Sequence, residues 1–269
     1  MLINRISYYF SMLTHNPLDF VIFVLYEILV ISIAFSFHEC AHAAAATWCG
    51  DSTAKYMGRL TLDPRSHVTL WGTLAIFFLG FGWGKPVPVD ARNFRHRRRW
   101  LDDLMVSLAG IAANLALFLV SLILALVLNR FLWKAAPAGM PALQVNPYAG
   151  SIGTLLAYDG ITAVAKELAP YSSAPWLFYI QHFLLLTAMT NLSLAIFNLL
   201  PIPPLDGFHL LNDLAFRGRI RVSPQVMSII EYVLLAVILL GVLSGVMGIV
   251  QGAAFTGVTN LLLLIMGQA

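Results

Sequence analysis

The sequence predicts an all-α polytopic membrane protein with about four to six transmembrane helices. Three observations carry this. Of 269 residues, 59% are hydrophobic and only 11% charged, with a mean hydropathy of +0.80. A soluble domain is about half apolar and a quarter charged. Long apolar runs recur along the chain, and the basic residues are segregated from them.

The spans follow in order. Phe20 to Trp48, Met105 to Arg130, Leu177 to Leu200 and Val226 to Val250 each reach the ~20 apolar residues that cross a bilayer core. Ala254 to Met266 is a weaker candidate. Nine of the 16 Lys and Arg residues lie between Lys55 and Arg99, and three more at Arg217, Arg219 and Arg221. Basic residues collect in cytoplasmic loops. The expected path therefore has an extracytoplasmic N-terminus, residues 49–104 on the cytoplasmic side, an outer loop over 131–175, and a return to the cytoplasmic side near Asp206. A multi-pass chain of the cell (plasma) membrane is expected, with the lipid bilayer as its partner. The arginines at 95–99 are read as a topology determinant, with no nucleic acid bound. Trp71, Trp100, Trp133 and Trp176 fit an interfacial belt.

Val68 to Gly84 is apolar but short and is flanked on both sides by basic residues. It is expected to be re-entrant, strand-like more than helical, and tolerated only where protein or water satisfies its backbone. No additional soluble domain is expected: 1–269 reads as a single membrane-embedded domain. Cys40 and Cys49 offer no Cys-x-x-Cys pair and are expected to be free thiols.

The chemistry lies in His38-Glu39-Cys40-Ala41-His42. On a helix, residues four apart share a face, so both imidazoles can bind one metal, with Glu39 beside them as a base. Ionisable groups inside a membrane helix are costly and mark function. Catalytic zinc takes three protein ligands and leaves a position for water. The best third candidate is Asp206, at the end of a later apolar helix broken by Pro201, Pro203 and Pro204. His209 would share the face of Asp206, but as a fourth ligand it would close the site, so it is expected to line the cleft. Glu27, about 16 Å along the helix from His38, is too far to bind the metal and is expected near the outer surface.

H-E-x-x-H in a first membrane helix, with N-x-x-P-x-x-x-L-D-G from Asn198 to Gly207, resembles the site-2 protease family (peptidase family M50). Gly58 to Pro64, His67, Gly82 to Val89 and Ala109 to Asn114 resemble stretches of its compact bacterial and archaeal branch, which lacks PDZ and CBS domains. Ile111, Val68-Thr69 and Phe208-His209 depart from that branch's usual residues. The resemblance covers roughly residues 17–212, leaving accessory helices at about 225–266. It implies a three-helix catalytic core, one Zn²⁺ held by His38, His42 and Asp206, and Glu39 as general base. It also implies a cleft with Asn198 and Asn114 near the substrate. Pro201, Gly207, His67 and Lys85 complete the expected cleft set. The implied activity is intramembrane zinc endopeptidase action on membrane-protein or peptide substrates with a transmembrane segment. Two alternatives stand beside it: a membrane zinc peptidase whose third ligand is a downstream Glu, and a catalytically silent metal-binding membrane protein.

Overall fold

The computed structural model describes residues 2–79, 82–96, 98–132 and 161–266. Its helices are α1 (Leu2–His15), α2 (Pro17–Cys49), α3 (Thr53–Tyr56), α4 (Leu70–Leu79) and α5 (Arg99–Leu132). After them come α6 (Ile161–Leu168), α7 (Leu177–Asn198), α8 (Asp206–Phe216), α9 (Pro224–Leu239) and α10 (Val242–Ile265). Most of the expected outer loop, Trp133 included, lies outside the described residues.

Among the described residues, four helical stretches are long and apolar enough to cross a membrane: Pro17–Cys49, Arg99–Asn129, Leu177–Asn198 and Gly245–Ile265. The chain is a multi-pass membrane protein. In a bilayer, helices need no polar outer face, and α2 leaves Leu18, Val21, Leu25, Ile28 and Leu29 exposed. The core forms where α2, α5 and α7 pack on one another. Phe118, Leu122 and Leu126 of α5 are buried against Phe178, Leu185 and Ala188 of α7, with Phe255 and Leu263 of α10 joining them. A polar tie crosses this apolar layer. The Gln181 side-chain amide donates to Ala125 O at 3.0 Å and to Asn129 Oδ1 at 3.1 Å.

The site end of α2 is closed by Gly50, whose φ of 111° only glycine adopts easily. Asp51 N donates to Ala46 O at 2.8 Å, satisfying a terminal carbonyl. The buried Asp51 carboxylate then gathers the following loop. It accepts from Thr53 N, Asn93 Nδ2 and Asp90 N at 3.0, 2.9 and 2.7 Å. Burial pushes the Asp51 carboxyl up, but these hydrogen bonds outweigh it and hold the group below the usual aspartate range. Residues 82–96 are thereby fixed alongside the end of α2.

Two expectations are corrected, and one helix is added. The segment after Val68 is a helix through most of its length, not a strand. Pairing is limited to one antiparallel bridge, Val68 to Gly84. The physical reason is supply: among the described residues no strand is available to pair an extended chain, whereas a helix satisfies its own backbone. At ten residues α4 spans only about 15 Å, too short to cross a bilayer. Thr69 Oγ1 caps it by accepting from Gly72 N at 2.9 Å. Gly72 and Gly82 let the outgoing and returning backbones touch, since a Cβ on Gly82 would collide with Gly72 O.

The expected span Val226 to Val250 is broken. Gly241, at φ 73°, turns the chain between α9 and α10. The expected weaker span at 254–266 is the end of the longer helix α10. Lastly, α1 was not foreseen. It packs on α2 and α4, with Tyr9, Phe23 and Phe77 in ring contact. Arg5 donates to Ile76 O and Phe77 O at 3.1 Å, and Tyr9 Oη to Phe77 O at 2.8 Å. These bonds satisfy carbonyls at the C-terminal end of α4. Glu27 is half-buried and interacts electrostatically with Arg5.

Candidate metal centre

Helical spacing puts His38 and His42 on the face of α2 that meets α5, with Glu39 beside them, and all three are buried. The third group arrives differently. α7 ends at Asn198, and the prolines at 201, 203 and 204 deny the chain a continued helix. Ile202 N and Leu205 N find carbonyls at Leu200 and Ile202, at 2.8 and 2.9 Å. The turn delivers Asp206 as the first residue of α8, where the helix N-terminus favours a carboxylate.

Among the described residues, His38, His42 and Asp206 form the one group of His, Cys, Asp or Glu that could hold a metal ion. Asp206 Oδ2 lies 3.4 Å from Nε2 of each histidine, and the two Nε2 atoms lie 3.0 Å apart. Three ligands at the corners of a tetrahedron around one zinc would stand about 3.3 Å apart at ordinary Zn–N and Zn–O distances.

The tautomers agree with this. His42 Nδ1 lies 2.7 Å from Val106 O, an atom that can only accept, so the proton is on Nδ1. His38 Nδ1 lies 2.8 Å from Asn114 Oδ1 and donates likewise. Both Nε2 lone pairs therefore converge with a carboxylate oxygen, and Asp206 Oδ2 is buried with no hydrogen-bond partner. Three acceptors aimed at one point repel unless a cation sits between them. The donor set, two imidazoles and one carboxylate, is that of catalytic zinc.

Both imidazoles press on α5 at Gly110. A Cβ there would collide with His42 Nε2 and fall on Cε1 of both rings. Glu39 is held from the other side. Val87 N donates to Glu39 Oε2 at 3.0 Å, which ties the 82–89 segment to this carboxylate.

The site opens into a cavity of about 740 Å³. Glu39, Asp206 and Asn198 reach it, and its walls are largely apolar, with Phe35, Val87, Leu194, Phe197 and Leu234 among the lining residues.

The other expected cleft residues are placed otherwise. Asn114 is fully buried and holds His38, and it is not among the cavity-lining residues. His67 is buried away from the cavity, its Nε2 bonded to Thr61 O at 2.8 Å. Lys85 turns outward, and its Nζ donates to Arg65 O at 3.0 Å. Pro201 is exposed, and Gly207 is buried where α8 meets the Leu199–Leu200 backbone. Sequence reasoning missed the Val106 carbonyl, the packing role of Gly110, and Asp103, which reaches the cavity beside His209. Only Gly110 had a signal, as part of a small-residue stretch. The expected free thiols are present at Cys40 and Cys49.

Comparison with known proteins agrees with this geometry. The chain is 33% identical over 193 residues to the protein named "Putative zinc metalloprotease YwhC" of Bacillus subtilis, covering 72% of this chain and 70% of that one. It is 32% identical over 148 residues to "Putative zinc metalloprotease Rip2" of Mycobacterium tuberculosis, covering 51% of this chain and 55% of Rip2. No solved structure matches. The model of the family described as Peptidase family M50 matches residues 26–241, most of the chain and the whole metal site, and the protein belongs to that family as a membrane zinc metallopeptidase.

Proposed function

We propose that this protein is an intramembrane endopeptidase that hydrolyses peptide bonds in or near the transmembrane segments of membrane-protein substrates, as in regulated intramembrane proteolysis. One observation carries the reading. The metal set and Glu39 face a single apolar cavity walled by α2, α5, α7 and α9, three of which contain membrane-length apolar stretches. Such walls suit an apolar peptide.

Zinc bound here would supply a water of lowered pKa and polarise the scissile carbonyl. The protein's part is positional. Glu39 takes a proton from the attacking water and returns one to the departing amine. The Val87 N–H bond on Oε2 steadies the carboxylate and leaves Oε1 for that exchange. A substrate helix must unwind before attack, and an extended partner can replace the bonds it loses. The backbone of Gly82 to Val89 runs along the cavity and serves as that partner, with the Asn198 amide as a second clamp. The basic loop containing Lys55 to Arg99 lies at the cytoplasmic face of the cell membrane, and the N-terminus starts outside.

The alternative with a downstream Glu as third ligand is disfavoured. Glu231 lines the cavity but is not part of the convergent group. Purified Glu39→Gln and Asp206→Ala proteins test the reading. Glu39→Gln is expected to keep zinc and lose peptide cleavage, and Asp206→Ala to lose both. Substantial cleavage by Glu39→Gln would overturn the mechanism.

A further inference from the structure

Helix α5 holds more than the two metal-site imidazoles. His209 Nδ1 lies 3.4 Å from Asp103 Oδ2. Asp103 is one turn before Val106, which holds His42, and Asn114 two turns further on holds His38. One face of α5 therefore fixes three imidazoles by the same ring nitrogen. In the first two, Nε2 is left for metal. In the third it is left for something else, because His209 is outside the convergent metal group.

His209 follows Asp206 by three residues on α8, so the two Cβ atoms lie about 5–6 Å apart on one face. Both residues line the cavity that contains Glu39, and the His209 side chain is 45% exposed. The Asp103 hydrogen bond holds the imidazole above its usual pKa against the effect of burial, and the charge of Asp103 adds to it. The shift favours the form in which both nitrogens donate.

We infer that His209 is a further catalytic residue, donating from Nε2 to the carbonyl oxygen of the peptide bond under attack, with Asp103 as the positioning residue that aims it. This rests on the proteolytic reading above. A donor placed where negative charge develops acts on the transition state more than on bound substrate. Its removal therefore lowers kcat and leaves KM nearly unchanged.

The experiment uses the purified full chain with a fluorogenic transmembrane-segment substrate. His209→Ala is expected to keep one zinc, hold KM within about twofold and lose kcat by about 100-fold. A phosphinic-peptide mimic of the tetrahedral species should lose affinity by a similar factor. His209→Arg, which restores a charged donor, should recover much of the kcat. Asp103→Asn should lose about 10-fold or more. Unchanged kcat in His209→Ala overturns the inference, as does a loss confined to KM or one accompanied by loss of zinc. Glu39→Gln is assayed alongside. If it stays active, the proteolytic mechanism fails. If it is inactive while His209→Ala runs at the normal rate, only the role of His209 fails.

Discussion

His38 Nδ1 and Asn114 Oδ1 meet at 2.8 Å between α2 and α5, 76 positions apart in sequence. The bond fixes the tautomer and rotation of an imidazole whose other nitrogen faces Asp206. Partners of this kind typically contribute 10–100-fold to metal affinity. Asn114→Ala is therefore expected to weaken zinc binding by that range while the helices stay folded. Chelator competition on the purified protein reads the affinity, and an unchanged constant would remove Asn114 from the site.

Gly110 allows α5 to pass directly behind the two imidazoles. A methyl there has no room, because the atoms it would meet are the ring atoms of His42 and His38. Gly110→Ala should displace both rings and leave the protein without zinc. Alanine is the better helix former, so helical content should hold. Metal analysis with far-UV circular dichroism separates these effects. A fully zinc-loaded Gly110→Ala protein would contradict the packing.

The sequence made His38, Glu39, His42 and Asp206 legible because charge inside an apolar run is costly and has to be explained. Their supports were not legible for the converse reason. Val106 contributes a backbone carbonyl, which no side chain announces. Asp103 sits among Arg98, Arg99 and Asp102 at a helix start, where acids are ordinary. His67 was drawn to the cleft by resemblance, yet it is buried on Thr61 O. In the fold, α4 and a strand could not be told apart by apolar content over ten residues. Gly241 was hidden as a stop signal by the apolar residues around it.

Helix α1 has no catalytic group, but Arg5 and Tyr9 satisfy the terminal carbonyls of α4. Without them, Ile76 O and Phe77 O lose protein donors where water is scarce. Arg5→Met combined with Tyr9→Phe is expected to loosen α4 and leave zinc bound. Hydrogen exchange of residues 70–79 should accelerate by at least 10-fold relative to α5, as a loss of ~1.4 kcal/mol or more implies for exchange by local opening. Unchanged protection of α4 would show that its packing alone secures it.

Asp213 on α8 is fully buried, and neither carboxylate oxygen has a hydrogen-bond partner. Burial, and after it the charge of Asp103, pushes its pKa up to about 7. Below the ordinary aspartate value of 3.8 the group is protonated whether the chain is folded or not, and it adds no pH dependence. From there to about pH 7 the unfolded chain releases the proton and the folded chain keeps it. The folded state binds more protons across this window, so stability falls as pH rises, and the penalty is complete above it. His209, whose pKa is also raised, loses stability in the same direction, so the slope of the parent alone does not isolate Asp213. Asp213→Asn removes the carboxyl while keeping its shape. In detergent, the variant should exceed the parent Tm at pH 8 by on the order of 5 °C and converge with it near pH 4. Identical pH slopes for the two proteins would show that Asp213 is already paired or ionised in the fold.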